Sequence, residues 1–297
     1  MSLHPIKNTP LTIVMVTGNR LPSLQRAITS CLGQTPPPGG MTFCIVDNSS
    51  TDGTREWLRD WAARAPVPVK LVLNPANLGP GDSKSLGFAS TTAPLVFFLD
   101  DDVEITSAPD TLLRMLEAFE VQPRLGLLAL ATADAHIPDY YPNHRHGDPL
   151  FQYIGTALML RRDAVRDLPL YPAGLGYGGE ELYAALGIHG GGYEIRYWAK
   201  GQCIHTHGTA NRASHRENCI NNLANCWVIR QLRMPRMFQP FCFLLFIIRI
   251  VKTFGWRAMP LGEIMGRVRA RYRPECRRPI SWKSSLRLLR RHGKNVL

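Results

Sequence analysis

The sequence predicts an α/β fold with a doubly wound sheet and a mainly helical, basic extension at its C-terminal end. Apolar runs alternate with helical patterns over the first hundred residues, which is typical of parallel strands joined by crossover helices. A polar residue closes each of the four runs: Thr17, Asp47, Asn74 and Asp100. Ligands bind beyond the carboxyl ends of the strands in such sheets. The sequence therefore predicts a polar site along that edge.

The elements of the first half follow one another regularly. "LTIVMVT" (11–17) predicts the first strand, and the apolar spacing of 21–34 predicts a helix. A break rich in proline and glycine separates this helix from the second strand, 41–48. Turn and N-cap residues lead into a second helix, and 69–74 is the third strand. A glycine-rich turn, a third helix and the strand "PLVFFLD" complete this half.

The second half is less regular. Residues 153–165 predict a strand and the start of a short helix, and 170–198 predict a loop, a helix and a strand. From about residue 208 the pattern is mainly helical, with prolines at the joints. This change of pattern marks the beginning of a separate C-terminal region.

The positive charge is concentrated in the C-terminal region. The chain of 297 residues has a formal net charge of +12, yet residues 230–297 hold 17 Lys and Arg against two acids, which leaves −3 for the rest. "FCFLLFII" (241–248) is strongly apolar but shorter than the roughly 20 residues that span a bilayer. Two interpretations stay open: an interfacial helix on an anionic membrane within 236–297, or a buried core helix with a solvated basic extension. Nucleic acid is not expected as a partner.

The cysteine pattern predicts a reducing compartment. Seven cysteines is an odd number and none forms a Cys-x-x-Cys pair, which argues against a disulfide framework or a zinc knuckle. The first residues contain no apolar signal segment. We expect a cytoplasmic protein, peripheral on the inner face of the cell membrane if the interfacial helix is correct.

Three consecutive carboxylates follow the fourth strand directly. In "LVFFLDDDVEI" (95–105) an apolar run leads into Asp100, Asp101 and Asp102. Adjacent carboxylates repel one another and resist leaving water, so a reason for their presence is needed. A helix cap would need one acid, whereas carboxylates at i and i+2 suit Mg²⁺ or Mn²⁺, which prefer hard oxygen ligands. The triplet is a candidate metal site.

Motifs along the chain occur in a fixed order. The first half contains "VTGNR" (16–20), "IVDNSSTDGT" (45–54), "NLGPGDSKSLGF" (77–88) and "FFLDDDV" (97–103). The second half adds "GTALMLRRDAV", "GGEEL" and "GYEIRYW" followed by a histidine. Together, over residues 11 to about 210, they resemble the family-2 glycosyltransferases. The resemblance implies the nucleotide-binding fold called GT-A, with a mixed sheet.

The resemblance also implies a domain organisation. Residues 1–210 would be a GT-A catalytic domain, with a nucleotide-binding half (1–105) and an acceptor-side half (106–210). Residues 211–297 would be a helical, basic region after this domain, and it would associate with membrane under the first of the two interpretations above. A donor sugar linked to a nucleoside diphosphate would bind at the edge of the sheet.

The resemblance assigns roles around the leaving diphosphate. Asp102, with Asp100 or Asp101 nearby, would hold Mg²⁺ or Mn²⁺, and His205 would be the third protein ligand. His207 is the alternative, because the two rings of "HTH" on a strand share a face. Glu181 would be the general base that takes a proton from the acceptor hydroxyl, with Glu180 as the alternative.

The nucleotide would meet residues at the strand ends. The resemblance places Asp47 on the base or ribose, with Thr17 at the first strand end and Asp100 and Asp101 close to the donor. Arg20 and Lys84 face the diphosphate or are solvated surface charges. The chain departs from the family pattern where Lys84-Ser85 replaces Arg-Asn, and where Glu180-Glu181 replaces Glu-Asp.

The predicted function is inverting, metal-dependent transfer of a hexosyl or deoxyhexosyl group to a hydroxyl of a glycan or lipid-linked acceptor, in cell-surface polysaccharide assembly. A UDP-sugar is the expected donor, and dTDP- or GDP-sugars remain open. One alternative is a nucleotide-sugar-binding scaffold without turnover. A nucleotidyltransferase is a further alternative, although "VTGNRLPS" lacks the glycine-rich basic phosphate loop that such an enzyme needs.

Overall fold

The computed structural model describes residues 11–166, 169–206 and 214–293. The strands are β1 (Leu11–Thr17), β2 (Met41–Asp47), β3 (Val69–Leu73), β4 (Leu95–Leu99), β5 (Val103–Ile105), β6 (Leu125–Ala133), β7 (Pro149–Leu150), β8 (Ala157–Arg161) and β9 (Glu194–His205). The helices are α1 (Leu21–Leu32), α2 (Thr54–Ala62), α3 (Pro80–Ala89), α4 (Thr111–Val121), α5 (Glu180–Gly190), α6 (His215–Arg233), α7 (Gln239–Phe254), α8 (Leu261–Arg271) and α9 (Trp282–His292). Short 3₁₀ helices follow β8, α6, α7 and α8.

The strands of the described residues form one mixed sheet. Its order is β3-β2-β1-β4-β8-β6-β9-β5, and β7 pairs with β9. The first four strands run parallel, as predicted. β8 is antiparallel to both β4 and β6, and β5 is antiparallel to β9. The carboxyl ends of β1, β2, β3 and β4 therefore meet at one edge, next to the end of β9.

Alternation along the strands divides the core into two layers. Ile13 and Phe97 face the layer that contains α1 and α4, whereas Val14 and Phe98 face the layer that contains α3 and α5. Successive side chains of a strand point to opposite faces, so strands that are apolar throughout need cover on both sides. The unbroken apolar runs in the sequence reflect this double cover.

A third apolar cluster joins the C-terminal helices to the sheet domain. It contains Leu182, Tyr183 and Leu186 from α5 together with residues of α6, α7, α8 and α9. The other side of α5 packs on the sheet through Ala184 and Ile188. The C-terminal region is mainly helical, as predicted, and its core continues into α5.

One segment of the described chain has the length and composition of a membrane span. It comprises the 19 residues Arg236–Phe254, and 22% of its apolar window is buried. The apolar stretch is therefore longer than the eight residues "FCFLLFII" on which the sequence interpretation rested. Core helices of soluble proteins share this length and composition.

Candidate active site

The register of two strands brings the acidic triplet to the end of β9. β4 ends at Leu99 and β5 begins at Val103, so the three aspartates form the turn between them. β5 pairs antiparallel with β9, and Val103 lies opposite His205. The Thr206 amide donates to the Asp102 carbonyl oxygen at 2.8 Å. This pairing places His205 beside Asp102.

A chain of polar contacts fixes the imidazole of His205. Its Nε2 lies 3.0 Å from Oδ1 of Asp102, and its Nδ1 lies 2.9 Å from the Tyr140 hydroxyl. Tyr140 donates its hydroxyl hydrogen to Oδ2 of Asp134 at 3.0 Å. The Tyr140 hydroxyl therefore links Asp134 to the Nδ1 side of the ring, and the Nε2 side faces Asp102.

Two cationic side chains reach the acidic turn. Nη1 of Arg20 donates to Oδ1 of Asp101 at 3.0 Å and to Oδ2 of Asp102 at 2.9 Å. Nζ of Lys84 lies 2.6 Å from Oδ1 of Asp100 and donates to the carbonyl oxygen of Gly155 at 2.8 Å. Both cations are engaged with carboxylates inside the site, so neither is a solvated surface charge.

Burial changes the protonation of these groups. Desolvation raises the pKa of Asp101 to about 6, although the Arg20 guanidinium opposes this shift. Burial alone would lower the pKa of Lys84, but Asp100, Glu181 and Glu180 raise it overall. The buried ammonium thus stays charged among three carboxylates.

Two glutamates, Glu180 and Glu181, begin α5. Gly178 and Gly179 precede them with φ of +94° and +86°, a left-handed conformation that glycine adopts without strain. Burial, followed by repulsion from Glu180, raises the pKa of Glu181 to about 7. Burial also raises the pKa of Glu180, whose Oε2 has no hydrogen-bond partner among the described residues. A carboxyl that titrates near neutral pH can serve as a general base.

Gly155 provides the space for Glu181. A Cβ atom at residue 155 would lie 2.7 Å from Oε1 of Glu181, so any side chain there would force that carboxylate to shift. The amide of Asp100 donates to the carbonyl oxygen of Thr156 at 2.9 Å, because β4 and β8 pair there. The start of β8 therefore lies between the acidic turn and the glutamates.

The loop before α5 is held by the C-terminal helices. Nδ2 of Asn225, in α6, donates to the Gly178 carbonyl oxygen at 2.7 Å. Nη1 of Arg271, in α8, donates to Oδ1 of the same Asn225 at 2.7 Å. A hypothetical Cβ at Gly179 would lie 3.2 Å from Sγ of Cys226. The position of the glutamates thus depends on the packing of α6 and α8.

These groups line one cavity of about 640 Å³. Of the residues predicted from the sequence, it is lined by Thr17, Arg20, Lys84, Asp100, Asp101, Asp102, Glu180, Glu181 and His205. Its volume lies within the range of pockets that bind small molecules. His207, the alternative metal ligand, lies outside the described residues.

Asp47 lies at the predicted edge but is not among the residues that line the cavity. It is fully buried, and Nε of Arg55 donates to its Oδ2 at 2.8 Å. The Ser50 amide donates to the same carboxylate. Asp47 is thus engaged by Arg55 and Ser50, and the nucleotide role predicted for it stays a prediction.

The side chains around the acidic turn are compatible with a divalent cation that few protein groups bind. No three Asp, Glu, His or Cys side chains within the described ranges are grouped closely enough to hold a metal. Asp102 and His205 nevertheless present an oxygen and a nitrogen 3.0 Å apart, roughly the spacing of adjacent ligands on an octahedral ion with ~2.1 Å bonds. This pair is therefore compatible with a divalent ion.

Several residues of the site were not predicted from the sequence. Gly155 stood in a recognised motif but had no role, although a glycine at the start of a strand is a signal of close approach. Tyr140 and Asp134 lie in an irregular segment, where no pattern indicated that they contact His205. Asn218 and Asn221 also line the cavity from α6, beyond the region of resemblance.

The mixed sheet, with an acidic turn beside a histidine and two glutamates, defines a glycosyltransferase of the GT-A class. The chain belongs to glycosyl transferase family 2, whose sequence profile matches residues 12–169. An uncharacterized glycosyltransferase from Nostoc sp. is 34% identical over 119 residues, which are 40% of this chain and 35% of that protein. The match thus covers well under half of the relative's length. The predicted family and fold are confirmed.

Three solved structures share the fold. A mannosyltransferase of Pyrobaculum calidifontis, in complex with GDP-Man and Mn²⁺, has a TM-score of 0.60 at 16% identity, over 97% of this chain and 80% of its own. TarS 1–349 of S. aureus with UDP-GlcNAc has a TM-score of 0.66 at 13% identity, over 97% and 89%. GalNAc-T7 with UDP, GalNAc and Mn²⁺ has a TM-score of 0.67 at 14% identity, over 96% and 58%.

Proposed function

We propose that this glycosyltransferase transfers a hexosyl or deoxyhexosyl group from a nucleoside diphosphate sugar to an acceptor hydroxyl, with inversion at the anomeric carbon. The observation that carries the proposal is one cavity lined both by the Asp102–His205 pair and by Glu181, whose pKa is raised. The nucleotide sugars bound by the structural neighbours support such a donor. A UDP-sugar is the first candidate, followed by GDP- and dTDP-sugars.

The diphosphate would lie at the acidic turn. Asp102 and His205 would hold Mg²⁺ or Mn²⁺ there, and Asp100 is the next carboxylate in reach once Lys84 turns to the phosphate. When bound, the ion would offset the negative charge that develops on the leaving diphosphate. Mn²⁺ in two of the neighbours supports this proposal. Arg20 and Lys84, already in the cavity, would contact phosphate oxygens.

Glu181 would act as the base. Its carboxylate takes the proton of the acceptor hydroxyl while that oxygen attacks the anomeric carbon and the nucleoside diphosphate leaves. A single displacement of this kind inverts the anomeric centre. The pKa of about 7 suits proton transfer near neutral pH. Glu180 is the alternative base, because its Oε2 is buried without a described partner.

The acceptor would be a glycan or lipid-linked sugar of a cell-surface polysaccharide, modified at the cytoplasmic side of a membrane. The support for this part is the basic, partly apolar C-terminal region, residues 211–297, which would associate with membrane. A scaffold that binds nucleotide sugars without turnover is the second candidate. It is favoured only by the engagement of Arg20 and Lys84 with the acidic turn.

The test combines binding with turnover. We expect one of UDP-glucose, UDP-GlcNAc, GDP-mannose and a dTDP-deoxyhexose to raise the melting temperature with Mn²⁺ and not with EDTA. Glu181→Gln should keep that shift and lose about 10²- to 10⁴-fold in sugar transfer or donor hydrolysis. Binding without turnover in the unaltered protein would favour the scaffold. No shift with any donor would contradict both candidates.

A further inference from the structure

The outer face of α7 is apolar. Cys242 and Ile250 pack into the helical cluster on one side of the helix. On the opposite side, Phe241, Leu244 and Ile248 follow i, i+3, i+7 spacing and are 58%, 57% and 38% exposed. These fractions mean that no described part of the chain covers this face. A helix that is apolar on both sides is normally covered on both sides, so a second contact is expected.

Both ends of this face carry exposed basic and large apolar side chains. Arg236 and Met237 precede α7, and Lys252, Trp256 and Arg257 lie at or after its end. Met237 and Trp256 are 63% and 72% exposed. No Asp or Glu occurs in the sequence 218–262. An apolar stripe between cationic flanks matches a surface whose charge is negative and whose interior is hydrocarbon.

A basic, aromatic cavity adjoins the helix. It measures about 560 Å³ and is lined by residues that include Trp227, Phe243, Tyr272, Arg236 and Arg277. No carboxylate is among the lining residues. Phe243 belongs to α7, so the cavity opens beside the exposed apolar stripe. Two guanidinium groups without a lining carboxylate favour an anion such as a phosphate group.

We propose that α7 and its flanks, residues 236–257, dock on an anionic phospholipid bilayer. Phe241, Leu244 and Ile248 enter the boundary between headgroups and acyl chains, and Arg236 and Arg277 bind lipid phosphates. α7 lies in the plane of the surface and does not cross it, because its buried stripe is packed on α6. A second copy of the chain fits the charge less well, since both copies would bring cationic flanks to the contact.

This docking surface is separate from the proposed catalytic cavity. None of the residues that line that cavity comes from 236–297. Transfer measured in solution therefore tests the proposed function, and vesicle binding tests the docking surface. Removal of 236–297 is unsuitable as a test, because it would expose the helical cluster that α6 and α5 share with these helices. Substitution of exposed side chains leaves that cluster intact.

The experiment is flotation of the full chain with vesicles. We expect at least tenfold more protein to float with vesicles of phosphatidylglycerol and phosphatidylcholine than with vesicles of phosphatidylcholine alone. The variant F241S/L244S/I248S should lose at least tenfold of that binding, and V121S, at a side chain 76% exposed on α4, should bind like the unaltered protein. The variant R236Q/K252Q/R257Q should lose the preference for anionic lipid, unlike the charge-matched control R59Q/R64Q/R124Q.

Four results would overturn the proposal. They are equal binding to both kinds of vesicle, unchanged flotation of the apolar triple variant, retention in the bilayer after alkaline carbonate extraction, and a stable dimer that hides α7 and abolishes flotation. Retention would indicate a spanning helix, and the dimer would indicate a second copy as the partner.

Discussion

Nε2 of His205 lies 3.0 Å from Oδ1 of Asp102, although the two residues are far apart in the chain. The contact follows from the register of β5 and β9, which sets Val103 opposite His205. The strand pairing therefore places the imidazole beside the turn that contains the carboxylate. Paired strands position functional side chains more precisely than loops alone.

The first prediction concerns the metal. His205→Ala and Asp102→Asn should each lower the affinity for a nucleoside diphosphate in Mn²⁺ by at least tenfold, because each removes one of two convergent ligands. Isothermal titration with and without EDTA measures this effect. His136→Ala, at an exposed histidine, is the matched control. Equal affinities for His205→Ala and the control would refute the metal assignment.

The second prediction concerns Tyr140. Its hydroxyl links Asp134 to His205, and loss of such a support typically costs 10- to 100-fold in metal affinity. Tyr140→Phe should therefore weaken Mn²⁺ binding, measured by electron paramagnetic resonance in the presence of UDP. The melting temperature without metal should change little. If Mn²⁺ affinity is unaltered, Tyr140 has no role in orienting the imidazole.

The third prediction is a pH dependence of activity. The base must be deprotonated, and the pKa of Glu181 is raised to about 7. The specificity constant kcat/KM should therefore rise with pH through about 7 and level off above it. Glu181→Asp should keep a rising limb at reduced rate. A profile that is flat between pH 6 and 8 would exclude Glu181 as the base.

The fourth prediction is the corresponding change in stability. A carboxyl whose pKa rises from 4.5 to about 7 on folding binds its proton more tightly in the folded state. The contribution of this proton to the free energy of unfolding is fully present below pH 4.5. It is lost as the pH rises to about 7, and the free energy of unfolding falls by roughly 3 kcal/mol. Glu181→Gln should therefore be more stable than the unaltered protein at pH 8, and the difference should shrink at pH 5. Denaturant unfolding at both pH values measures this; a constant difference would contradict it.

The fifth prediction concerns Gly155. Gly155→Ala would place a Cβ 2.7 Å from Oε1 of Glu181 and push that carboxylate away. We expect kcat to fall about 10²-fold, since small displacements of catalytic groups have large effects, while donor KM changes little. Gly262→Ala in α8, where a Cβ meets nothing within 4 Å, is the control. Equal kcat for both variants would show that Glu181 tolerates displacement.

Much of the fold was predictable because strands covered on both faces produce unbroken apolar runs. The same logic located the polar edge, since Thr17 and Asp100 directly follow such runs. The engagement of Arg20 with the acidic turn was not predictable, because it depends on how the loop after β1 folds. Likewise, the pairing of Asp47 with Arg55 depends on the approach of α2, which leaves no local signal.

The attachment of the Gly178 loop to Asn225, and of Asn225 to Arg271, has a consequence for protein engineering. The carboxyls at 180 and 181 rest on contacts supplied from beyond residue 210, so a chimera joined there would separate the reacting groups from their support. An active chimera of two homologous enzymes therefore has to take α6, α8 and the pair Gly178 and Gly179 from the same parent.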